Sequence, residues 1–139
     1  MLNLKLGKAQ LSIRFGYEAT VRSNILKRLA EMTVEGESED SFDRINKMME
    51  LVPEMILVGA QKFHSKEFGY DYKTEEGKEE SLSKIYSLLD DYFDGEEADF
   101  SELLNSLQNE LMENGFLSKM FKREVEKQKK KESEKKEEN

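Results

Sequence analysis

A change of hydrophobic period near the N-terminus constrains the fold of this chain more than any other feature. Leu2, Leu4 and Leu6 alternate with Asn3 and Lys5. After Gly7-Lys8-Ala9-Gln10, the residues Leu11, Ile13 and Phe15 alternate with Ser12 and Arg14. Neighbouring side chains of a strand point to opposite faces, so the pattern reads as a β-hairpin with one apolar face. A lone hairpin is marginal in water, and another element must cover that face. From Val21 the period lengthens. Val21, Ile25, Leu26, Leu29 and Met32 recur at helical spacing, with Arg22, Lys27 and Arg28 elsewhere on the helix. The expected opening is strand–strand–helix, with this helix covering the hairpin.

The rest of the chain reads as helices. Thr33 to Asp40 is acidic, contains Gly36 and Ser38, and has the composition of an exposed loop. Ser41 is placed to cap a helix bearing Phe42, Ile45, Met48, Met49 and Val52 on its apolar side. Pro53, the only proline, is expected to open a new helix, since Glu54 then puts a carboxylate in the first turn. Met55 to Ala60 is apolar on nearly all sides and should be the most buried helix, with Gly59 and Ala60 permitting close packing. A polar connection studded with aromatics follows, from Phe63 to Gly77. Leu82, Ile85, Tyr86, Leu89, Tyr92 and Phe93 then mark another helix, which Asp94-Gly95 breaks. Asp99 and Glu102 fit a capping box ahead of Leu103, Leu104, Leu107 and Leu111, and Asn114-Gly115 is a helix stop. Phe116, Leu117, Met120 and Phe121 begin a last helix.

The fold class expected is therefore mainly α with a small β part: an N-terminal hairpin packed on a bundle of about five helices. Residues 1–121 form the globular domain. Residues 122–139 form a charged tail, frayed or disordered, whose only hydrophobic side chain is Val125. Charge divides at the same place. The chain has 22 basic and 30 acidic residues, net −8. The tail holds 8 basic and 6 acidic residues, which leaves 14 basic and 24 acidic residues in the body. The body is thus −10 and the tail +2.

These numbers exclude several kinds of chemistry. With no cysteine there is no disulfide framework, thiolate zinc site or thiol nucleophile. His64 is the only histidine, so a His-rich metal site is impossible, and serine–histidine catalysis would need that one ring. Its place after the apolar helix suits a dipole or hydrogen-bond partner. No phosphate-binding, dinucleotide-binding, zinc-protease or serine-hydrolase motif occurs, and no cofactor is implied. The stretch from Asp90 partly imitates a calcium loop, with Asp94 and Gly95 at its fifth and sixth positions. Tyr92 stands at the third position and Ser101 at the twelfth, where acidic ligands are needed, so a helix end and an acidic turn explain it better. A −10 body argues against a nucleic-acid surface. No run approaches the ~20 apolar residues of a membrane span. The residues after Met1 are too few and too charged for a signal peptide, which points to the cytoplasm.

What remains is a protein that works by contact. Seven methionines offer adaptable apolar surface, although core filling uses the same residue. Phe116, Leu117, Met120 and Phe121 give one hydrophobic face between a helix stop and a polar tail. Packed back, that face is core; released, it is a partner-binding helix.

Several segments stand in a familiar order: Leu2-Asn-Leu-Lys-Leu-Gly7, Arg14-Phe-Gly-Tyr17, Pro53-Glu-Met55 with its apolar helix, Phe68-Gly-Tyr-Asp-Tyr72, Asp90-Asp-Tyr-Phe-Asp94 and Leu111-Met-Glu-Asn-Gly-Phe116. Together they resemble the tail assembly chaperones of long-tailed phages and prophages of Gram-positive bacteria, over roughly residues 1–121. The resemblance implies a non-enzymatic role. Such chaperones hold the long tape measure protein soluble and help recruit major tail tube subunits around it. They act in the host cell cytoplasm and are absent from the mature virion. Many occur in two lengths through a programmed ribosomal frameshift, and this chain resembles the short form, with Lys129-Lys-Lys131 a candidate slippery site. Self-association into a homo-oligomer is compatible with the family. The competing class is a minor tail or head-completion subunit retained in the virion, which peptides from purified particles would reveal.

Overall fold

The computed structural model describes residues 1–33, 41–114 and 117. Strands β1 (Leu2–Leu6) and β2 (Ala9–Ile13) form an antiparallel hairpin in which Leu6 pairs with Ala9 and Leu2 with Ile13. Gly7 and Lys8 make the turn. Gly7 has φ +61°, the conformation a two-residue hairpin needs at its first turn position. Leu4, Leu6, Leu11, Ile13 and Phe15 are all buried, as the alternation requires.

Six α-helices follow among the described residues: α1 (Tyr17–Arg22), α2 (Ile25–Thr33), α3 (Ser41–Ala60), α4 (Ser65–Phe68), α5 (Lys78–Phe93) and α6 (Phe100–Asn109). The last passes into a π-helical segment, Glu110–Asn114. The chain is thus mainly helical with an N-terminal hairpin, as its sequence implies. No helix among the described residues is long and apolar enough to cross a membrane.

Three local expectations are corrected. First, the helical pattern from Val21 is broken. Asn24 sits at φ 59° between α1 and α2, leaving Val21 exposed and Ile25 buried. Asparagine accepts this left-handed conformation more readily than most residues. Second, the hairpin is covered mainly by α3 against β2 and α5 against β1, not by the helix that follows it. The close fit to α3 has a steric cause. A Cβ on Gly59 would lie 2.4 Å from Ile13 Cγ2, and the bare glycine lets Arg14 N–H donate to the Gly59 carbonyl at 2.9 Å.

Third, Pro53 does not open a helix but sits inside α3, a helix of 20 residues. Proline within a helix removes one backbone hydrogen bond and costs about 3 kcal/mol. Here Leu51 and Val52 before it, and Met55, Ile56, Leu57 and Val58 after it, are at most 2% exposed. Each such side chain contributes about 1.5–3 kcal/mol on burial, so packing on both sides holds the helix continuous.

The aromatic connection after α3 is anchored rather than loose. Gln61 Nε2 donates to the Leu57 and Phe68 carbonyls at 2.7 and 2.8 Å, and Phe68 is buried. The helix start at α6 behaves as expected, because Asp99 Oδ1 accepts from the Glu102 amide at 3.1 Å. The Asp99 amide donates to the Tyr92 hydroxyl at 3.0 Å, so a tyrosine serves where a capping-box glutamate would. At the far end, the Met1 ammonium lies 3.2 Å from Glu110 Oε1 but off the hydrogen-bond axis, while Asn114 Nδ2 donates to Oε2 at 2.9 Å. Residues 122–139 lie outside the described residues.

Candidate interaction surface

Helix α3 has two halves with opposite fates. Phe42, Ile45, Met49, Val52 and Ile56 are spaced three, four, three and four residues apart, which draws one apolar seam along the helix, as in a coiled coil. In the C-terminal half that seam is core: Val52 is 1% and Ile56 0% exposed. In the N-terminal half it is open: Phe42 is 77%, Ile45 48% and Met49 48% exposed. The core residues of α3 begin only at Leu51. From residue 42 to residue 50, about 13 Å of helix at 1.5 Å per residue, no side chain is fully buried.

The sequence groups Phe42, Ile45, Met48, Met49 and Val52 on one apolar side of a helix, and the structure divides them: Val52 is buried, Met48 half-buried and the other three exposed. The three–four spacing marks the seam in the sequence but carries no signal of which half is covered.

The point where the α3 seam enters the core is fixed by charge. Glu54 pairs with Arg28 from α2 and, at 3.2 Å, with Lys78 at the start of α5. Burial pushes the Glu54 carboxyl up, but Arg28 and Lys78 outweigh it and hold the group below the usual carboxylate range. Three helices are thereby pinned at the level where the seam leaves the core. Tyr86 on α5 stands beside them, 47% exposed. Its phenol is raised by partial burial and then by Glu50, Glu54 and Glu79. Tyr70, next to Glu54, is pushed up to about 12 by burial and then by Glu54 and Glu75. Around the seam, Asp43, Arg44, Asn46, Lys47 and Glu50 form a mixed polar border, with Asn46 Nδ2 donating to Glu50 Oε1 at 3.3 Å.

The other residues singled out from the sequence are placed as follows. Leu117 belongs to the core at 3% exposure, so this member of the C-terminal apolar set is packed rather than presented. Phe116, Met120 and Phe121 lie outside the described residues. His64 Nε2 accepts the Ser12 amide at 2.9 Å, which is the hydrogen-bond role its position suggested. The acidic turn after α5 is a helix end: the Asp94 amide donates to the Asp90 carbonyl at 3.0 Å and the Gly95 amide to the Tyr92 carbonyl at 3.1 Å. Among the described residues, no group of three or more histidine, aspartate and glutamate side chains is arranged to hold a metal ion.

An open apolar seam on a rigid helix can do one kind of chemistry, which is to cover another apolar stripe. Comparison of the chain with protein-family models, with curated proteins and with solved structures returned no match.

Proposed function

We propose that this chain is a non-enzymatic tail assembly chaperone that holds the tape measure protein soluble and helps recruit major tail tube subunits. On this reading it acts in the host cell cytoplasm, leaves before the virion is complete, and is the short form of a frameshifted pair. The ordered resemblance in the sequence suggests the family. The observation that carries the mechanism is the exposure of Ile45 and Met49 on the α3 seam.

A tape measure protein is a long helical chain with apolar stripes. Such a stripe can continue the seam at Ile45 and Met49, replacing water on both partners with knobs-into-holes contact. Two large side chains give a modest contact, which suits a holder that must release its client. The thioether of Met49 tolerates varied partners. The excess of acidic side chains in the body keeps the complex dispersed by like-charge repulsion.

Co-expression with the cognate tape measure protein tests this directly. The soluble fraction of the tape measure protein should rise with the wild-type chain. The gain should disappear with Ile45→Asp and Met49→Asp together, since both side chains are half-exposed and neither belongs to the core. No gain in solubility, and no co-purification with either tape measure or tube protein, would overturn the proposal.

A further inference from the structure

The two outer edges of the hairpin differ. In an antiparallel pair closed by a two-residue turn, the residues flanking the turn bond to each other, and bonding alternates from there. Leu6, Leu4 and Leu2 therefore bond to β2, while Asn3 and Lys5 turn their N–H and C=O groups outward. On β2 two of the outward amides are satisfied: that of Ser12 donates to His64 Nε2 and that of Arg14 to the Gly59 carbonyl. On β1 they are not. Among the described residues, no backbone partner meets Asn3 or Lys5.

A cavity of about 620 Å³ lies along that unpaired edge. On the hairpin side it is lined by Leu4, Lys5 and Gly7, neighbours along β1 and its turn. Glu102, Leu103 and Ser106 of α6 form its opposite wall, and the turn from Gly95 to Ala98 closes one end. The rim carries Glu97 and Glu102, both exposed, against the single cation of Lys5.

We infer that this groove binds one extended segment of a partner protein, with alternating basic and apolar side chains, as a third strand antiparallel or parallel to β1. The outward groups of Asn3 and Lys5 supply main-chain hydrogen bonds, which only an extended chain can answer. Apolar side chains of the segment lie towards Leu4 and Leu103, and basic ones lie towards Glu97 and Glu102. A second copy of this chain would enter with its own β2 on the far side of its β1, where α6 already stands, so the groove admits a single strand. The site is separate from the α3 seam and does not depend on it.

The probe is the blocked hexapeptide acetyl-(Val-Lys)3-amide, added in millimolar excess to the full chain. Amide hydrogen exchange at Asn3 and Lys5 should slow at least tenfold, with the Ser12 amide unchanged. The same peptide with alternate backbone nitrogens methylated, and acetyl-(Val-Glu)3-amide, should give no slowing. Lys5→Pro removes one outward N–H without touching the ladder, a change that edge strands tolerate, and should weaken binding at least tenfold. Should that variant fail to fold, Glu97→Gln with Glu102→Gln leaves the backbone intact and should weaken binding at least threefold. Absence of slowing with the basic peptide, or equal binding of its methylated form, would overturn the inference.

Discussion

Replacing Gly59 with alanine separates packing from helix propensity, because the two predict opposite signs. In an exposed helix interior, Gly→Ala stabilises by about 1 kcal/mol. At Gly59 the new Cβ would stand 2.4 Å from Ile13 Cγ2 and 3.4 Å from Phe15 Cζ. Ordinary carbon contacts lie at about 3.5–4.0 Å, so β2 must retreat by roughly 1 Å. Ile13 and Phe15 are 0% and 1% exposed and have nowhere to go without disturbing the rest of the core. Overpacking of this kind costs about 1–3 kcal/mol. The retreat also stretches the 2.9 Å bond from the Arg14 amide to the Gly59 carbonyl, a bond whose net worth is about 0.5–1.5 kcal/mol. The balance is a loss of about 1–3 kcal/mol, read as a fall of about 1 M in the urea midpoint. The companion variant is Ile13→Ala, which removes the colliding methyl. In that background Gly59→Ala should be neutral or stabilising, giving a coupling of about 2 kcal/mol in the double-mutant cycle. A rise in midpoint for the single variant, or strict additivity in the cycle, would refute the seating of the hairpin on α3.

Other perturbations test other contacts. Glu54 titrates below its ordinary range when folded, so the unfolded chain takes up its proton first, and the stability this group contributes is present above the unfolded value and lost as pH falls through the folded one. Glu54→Gln should cost about 1–3 kcal/mol at pH 7, between the exposed and fully buried limits for ion pairs, and should flatten the acid limb of the stability curve. Ile85→Ala, at a side chain 0% exposed, should lower stability by about 2–5 kcal/mol in denaturant unfolding. The equivalent change at Ile45, 48% exposed, should cost under about 1 kcal/mol, and equal losses would mean that the N-terminal half of α3 is packed like the core. His64→Phe keeps a ring beside Phe68 but removes the acceptor for the Ser12 amide. Exchange at Ser12 should accelerate, with a cost of about 1–3 kcal/mol for the orphaned donor.

Much of this fold is legible in the sequence because period-two and period-3.6 patterns report which side chains face inward. The hairpin face, the buried run from Met55 to Ala60 and the Leu103–Leu107–Leu111 stripe are all where those periods put them. The errors have physical causes. Asn24 interrupts a helical pattern with a single left-handed residue that leaves no mark on hydrophobic spacing. Pro53 is a local stop signal overruled by tertiary burial on both sides. The π-helical segment from Glu110 to Asn114 has no sequence signature. The candidate surface was hidden for a related reason. Phe42, Ile45 and Met49 share a stripe with buried Val52 and Ile56, and periodicity cannot tell a covered seam from an open one. That distinction depends on where the neighbouring helices end.

Site-specific photo-crosslinking is the most direct test of the central claim. A photoreactive residue would replace Ile45 or Met49 in the open seam, and Lys27 or Glu76 as exposed control positions, in chains co-expressed with the tape measure protein. If the open half of α3 holds the client, positions 45 and 49 will capture the tape measure protein and positions 27 and 76 will not. Capture from all four positions alike, or from neither seam position while the complex still co-purifies, would contradict it.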